Sequence, residues 1–200
     1  MRRLLLVCTL FLATTAHAED TLRRVPLVFH VAQRAGKPVA DAAFLAAQLA
    51  HANEIYRALG FSLVAIAQHK LSAAHARLVE RKDRDALGAS LTPGMINCFI
   101  VATLMDVDEP GRERRGVHWH VRSEPRQHFV IVSAISGPYV LAHELGHFFG
   151  NPEHSDTPGN LMSYQHTDEV PRLDEAQRER VVHTLDKLFE TRELRRNAKP

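Results

Sequence analysis

The chain has 200 residues, 45% of them hydrophobic and 24% charged, with a formal net charge of +2. That length can bury a core of its own and fits one domain. So small a net charge gives no reason to expect nucleic acid or an anionic membrane as partner.

Residues 1–18 (MRRLLLVCTLFLATTAHA) begin with two arginines, continue as an apolar run from Leu4 to Leu12 and end on small residues. This is the layout of a secretory signal peptide cleaved after Ala18, so a secreted or periplasmic protein is expected. The run is too short to span a bilayer and no later stretch is long enough, so no membrane anchor is expected. Val7 stands where lipidation at Cys8 would require a small residue. Cleavage removes two bases and no acids, leaving 23 bases against the 23 acids. Only Cys98 then remains, inside the apolar MINCFIV, which excludes an intrachain disulfide and reads as a buried small hydrophobe.

The next element, RRVPLVFHVA (23–32), reads as a strand, with GKP as its turn. From Asp41 to Leu59 the apolar residues Leu45, Leu49, Ala52, Ile55, Tyr56 and Leu59 mark a helix stopped by Gly60. FSLVAIA (61–67) is a second strand, and residues 73–91 are charged and weakly helical. MINCFIVATL (95–104) is almost wholly apolar, as a central strand would be. In the polar loop that follows, Asp106, Asp108 and Glu109 carry the charge to hold calcium, although a solvated loop is the plainer expectation.

GVHWHV (116–121) alternates as a short strand, with His118 and His120 on one face and Trp119 on the other. His118 and His120 read as strand-surface histidines and Trp119 as packing. HFVIVSAIS (128–136) is a buried strand, and GPYVLAHELGHFFG (137–150) a helix with Gly-Pro at its start and Gly150 at its end. After an irregular stretch (151–171), Asp174 and Gln177 form the capping box of a last helix lined by Val181, Val182, Leu185, Leu188 and Phe189. One α+β domain is expected over 19–190, with a frayed tail over 191–200 and a monomeric state.

The chemistry concentrates in HELGHFFGNPEH (143–154). Residues four apart share a helix face, so His143 and His147 can point imidazoles at one cation, and neutral imidazoles suit zinc. Glu144 is turned about 100° from His143, outside the ligand set but beside it, where a carboxylate can take a proton from an attacking water and pass it to a leaving amine. A third ligand requires the chain to turn back. Gly150 can adopt the left-handed conformation that ends a helix, and Pro152 resists its continuation. With 13 histidines in the chain, the HExxH motif alone would settle nothing.

HELGHFFG with a histidine close behind, then NLMSY (160–164), resembles the metzincin clan of zinc metallopeptidases. The resemblance runs in element order from about Val25 to Phe189. It implies a mixed twisted sheet of about five strands, an active-site helix, a Met-turn at Met162 and a C-terminal helix. It also implies zinc as cofactor, a protein or peptide substrate, and Tyr164 as a zinc ligand or oxyanion-stabilising group. Small bacterial matrixin-like and pappalysin-like members are the most similar. The clan's usual spacing puts the third ligand at Glu153; His154 is one residue further and is preferred as an imidazole, with Asp156 behind. The implied function is a secreted zinc endopeptidase with Glu144 as general base and acid.

Met162 also reads as core filling, Tyr164 as a surface residue, and Gly146 as a place where another backbone approaches closely. Two other functions stay open. One is a gluzincin-type peptidase with Glu169 or Glu175 as a distant ligand, against which the glycine and the methionine turn argue. The other is a zinc-binding module without turnover, in which Glu144 would have no use. Residues 117–121 are expected to form an edge strand over the cleft, antiparallel to their neighbour, where an extended substrate can pair.

Overall fold

A computed structural model describes residues 22–196, so the expected signal peptide and the last four residues lie outside the described part. Strand β1 (Arg23–Arg34) is buried along both faces from Val25 to Ala32, and β5 (Ile96–Val101) is buried throughout. Strands covered on both sides can be apolar at every position, which is why these two do not alternate. They pair in parallel, with Phe29 opposite Cys98. Outside β1 lies β3 (Phe61–Leu71), also parallel, and outside β5 lies β8 (Glu124–Ser133), parallel as well. The sheet ends on β7 (Gly116–Val121), which pairs antiparallel with β8 and with no other strand among the described residues. The GKP turn carries the two-residue β2 (Lys37–Pro38), hooked back onto the end of β1.

Helix α1 (Ala42–Tyr56) connects β1 to β3; Asp41 caps it by accepting the Phe44 N–H at 2.8 Å, and Gly60 ends the turn after it at φ +84°. Residues 73–91 do not form a continuous helix. They break into turns, the short β4 (Arg77–Leu78) and a five-residue helix α2 (Arg81–Asp85). In RKDRDAL only Arg84 and Leu87 are buried, too few for an apolar face that would stabilise a longer helix. MINCFIVATL likewise splits, its end forming β6 (Thr103–Leu104) beside β4. These segments cover one face of the sheet, over Phe99, Phe129 and Ile131.

The other face carries α1, α3 (Val140–Phe148) and α4 (Glu175–Glu190), packed over Val25, Leu27, Cys98, Val130 and Val132. The helix holding HELGH begins later than Gly-Pro: Tyr139 precedes Val140 at φ +62°, and Gln48 of α1, 3% exposed, serves as the cap. Its amide donates to Gly137 O at 2.8 Å and its carbonyl accepts the Leu141 N–H at 3.1 Å. At the α4 start, Asp174 and Gln177 form the reciprocal capping box. Beyond α4, Leu194 is buried and the Arg195 N–H donates to Gly94 O at 2.9 Å, tying residues 191–196 to the turn before β5. No helix among the described residues is long and apolar enough to cross a membrane. The fold is thus one α+β domain on a mixed twisted sheet.

Candidate metal centre

α3 ends in a Schellman turn. Gly150, at φ +90°, donates its N–H to His147 O, and the Asn151 N–H reaches back to Gly146 O, both at 3.0 Å. The chain leaves the helix sharply and then runs beside the methionine turn, with Ser155 N–H donating to Met162 O at 2.9 Å. Gly146 faces that turn directly: a Cβ built on it would stand 2.4 Å from Met162 Sδ. The close neighbour of Gly146 is therefore the Met162 side chain, not another backbone. Met162 is wholly buried, and its N–H is held by Asn160 Oδ1 at 2.8 Å.

This return path brings His154 to the two helix histidines. One ring nitrogen from each of His143, His147 and His154 lies within 4.8 Å of the others, and His147 Nε2 is 3.2 Å from His154 Nε2. Two nitrogens on one tetrahedral zinc, each about 2.1 Å from it, stand about 3.4 Å apart, so the donor set fits that ion. The outer nitrogens are already placed. His143 Nδ1 faces Leu161 O and His147 Nδ1 faces Asn151 O, both at 2.7 Å, so each donates there and leaves Nε2 as the free lone pair. Burial pushes the His143 imidazole down to about 4 and lowers His147 and His154 too, so all three favour the neutral form that ligation requires.

Glu153 and Asp156 are exposed and outside this cluster, as are Glu169 and Glu175. Tyr164 stacks on His154 at 4.3 Å between ring centroids and is 58% exposed, with its hydroxyl 3.5 Å from an Arg114 nitrogen. Glu144 is only 6% exposed. Burial pushes its carboxyl up to about 8, against the opposing pull of the His118 N–H and of the Arg114 and Arg84 guanidiniums. A dication beside it would draw that value back down. Gly116 passes so near that a Cβ there would be 2.6 Å from Glu144 Oε1. Beside Glu144 opens a cavity of about 230 Å³ lined by Tyr139, Val140, Leu161, Pro171, Arg114 and His166, among others.

Other candidates resolve simply. Cys98 is fully buried on β5, and burial raises its thiol further from ionisation. The three loop acids are paired with arginines: Asp106 with Arg114, Asp108 with Arg81 and Glu109 with Arg112, at 2.5, 2.5 and 2.7 Å. Trp119 packs on the far face of the sheet and donates to Asp85 at 2.8 Å. Three supports had no motif to announce them: Gln48, the Leu161 carbonyl and Asn151. Asn151 is 1% exposed and accepts the Arg180 Nε–H at 2.8 Å, which anchors the turn to α4.

No protein-family model and no curated protein matches this chain. Solved structures do. Mature mirolysin of Tannerella forsythia, in complex with a cleaved peptide, is 13% identical with a TM-score of 0.64, over 90% of this chain and 99% of that one. Archaemetzincin of Methanopyrus kandleri is 15% identical with a TM-score of 0.53, over 83% and 97%. Metalloproteinase-II of Bacteroides fragilis is 17% identical with a TM-score of 0.57 over 82% of this chain; the match spans 53% of the longer Bacteroides protein. The chain shares its fold with metzincin-type metalloproteinases.

Proposed function

We propose that this protein is a secreted zinc-dependent endopeptidase in which His143, His147 and His154 hold the metal and Glu144 is the general base and acid. The observation that carries this reading is the convergence of three imidazole nitrogens within 4.8 Å, with a buried carboxylate one residue from the first. When bound, zinc supplies Lewis acidity, making water acidic near neutral pH and polarising the scissile carbonyl. Glu144 takes the proton of the attacking water and delivers it to the departing amine. The backbone N–H of His118 holds the carboxylate on one side; burial raises its proton affinity, and a dication bound beside it would lower that again so that the group can take a proton near neutral pH. The Tyr164 hydroxyl hydrogen-bonds the oxyanion as the carbonyl becomes tetrahedral, guided by its stacking on His154.

Substrate lies extended along the free edge of β7, which runs past Glu144 at Gly116 and His118. One of its side chains enters the cavity beside Glu144, whose Val140, Leu161 and Pro171 walls accept apolar groups. The Leu4–Leu12 run and the small residues before Glu19 support secretion. The test is hydrolysis of casein or a peptide library. Activity is expected to vanish on chelation and to return with zinc. Hydrolysis that survives complete metal removal overturns the reading.

A further inference from the structure

A second set of imidazoles stands outside the centre just described. His118 and His120 project from one face of β7, and His128 stands on β8 with its Cα opposite that of His120. One ring nitrogen of each lies within 4.8 Å of the other two. The closest pair, His118 Nε2 and His128 Nδ1, is 2.9 Å apart. The His120 and His128 rings stack with centroids 5.1 Å apart and planes 10° from parallel. Phe148 of α3 forms an apolar floor, 4.3 Å from the His128 ring and 5.5 Å from that of His118.

We propose that His118, His120 and His128 form a second metal site, which takes a borderline divalent cation and zinc above all. Three neutral imidazoles with no thiolate suit zinc, copper or nickel, and exclude magnesium and calcium, which ask for oxygen. A tetrahedral zinc needs the closest pair to open only from 2.9 Å to about 3.4 Å. Burial holds His118 and His128 neutral near pH 7, so no proton must leave before the ion binds. Glu193 Oε1 lies 3.7 Å from His128 Nε2, on the side of the ring away from the cluster, so Nδ1 is the nitrogen that faces His118. His120 is exposed, which opens the fourth position to solvent.

The two sites share no ligand, but β7, which carries His118 and His120, also passes Glu144 at Gly116. A metal on β7 would rivet the edge strand to β8 and, through Glu193, to the segment after α4. That strand also supplies the His118 N–H to Glu144, so the second ion would steady the ledge on which the general base rests.

The test compares zinc content after saturation with zinc and dialysis, measured by atomic emission on the full chain. His120→Ala and His120→Gln change an exposed side chain, and their fold is checked by far-UV circular dichroism. Both are expected to hold one zinc fewer than the parent. His154→Ala loses its zinc independently, so a failure of the catalytic reading leaves the His120 comparison intact. Equal zinc content in the parent and both His120 variants overturns the second site.

Discussion

In the proposed zinc centre, His154 is the residue on which the ligand set turns. Its ring nitrogen is 3.2 Å from that of His147, while the exposed Glu153 next to it stays outside the cluster. His154→Ala should cost one zinc per chain and most of the activity, whereas Glu153→Ala should leave both nearly unchanged, as atomic emission and peptide hydrolysis would show. The reverse pattern would make the centre His-His-Glu. Asp106 acts on stability rather than on the centre. The Asp108 N–H, helped by the Glu109 N–H and by Arg114, holds its carboxyl down at about 2. The unfolded value is near 3.9, so the folded pKa is the lower one and the carboxylate stabilises the fold above about pH 4. That contribution fades as pH falls from about 4 through about 2. Asp106→Asn should therefore lower stability at pH 7 and flatten the acid limb of the stability curve in that window, as urea melts at several pH values would show.

At the scale of elements, α3 and β7 act as a pair. Gly116 lets the strand approach the helix. A Cβ there would stand 2.6 Å from Glu144 Oε1 and 2.8 Å from Val140 Cγ1. Gly116→Ala should displace the carboxylate and lower kcat by about a hundredfold while zinc content is kept, since the added Cβ meets Glu144 and Val140 and none of the proposed ligands. Unchanged kcat would show that the strand does not position the base. Much of this element-level design is legible in the sequence. The four-residue spacing places His143 and His147 on one helix face, the Gly150 stop follows from its left-handed turn, and the alternation in GVHWHV separates His118 and His120 from Trp119. What joins elements is not legible. His128 reaches His118 and His120 only through the β7–β8 register, and Gln48 caps α3 across 93 positions in sequence. The charged stretch 73–91 misled because helix propensity without a buried face does not hold a long helix.

For the whole molecule, the sheet separates two tasks. One face is sealed by residues 73–91 and the short β6 over Phe99 and Phe129, and the other carries the three helices with both histidine clusters at their edge. α4 reaches the centre indirectly, since Arg180 and the Gln177 carbonyl hold Asn151, whose own carbonyl orients His147. The order of these elements could be read along the chain, whereas the preference for His154 over Glu153 and Asp156 rests on ligand chemistry alone, because the position of each depends on how the loop after Gly150 is pulled against the methionine turn. This architecture brings three imidazole nitrogens within 4.8 Å of one another and sets one buried carboxylate beside them, the arrangement that the proposed zinc and proton transfer require. Glu144→Gln separates the two most directly, because the amide keeps the shape and removes the base. Measured side by side, its zinc content should equal that of the parent while kcat/KM for peptide hydrolysis falls by several orders of magnitude. Hydrolysis at the parental rate by a fully metal-loaded Glu144→Gln variant would contradict the account.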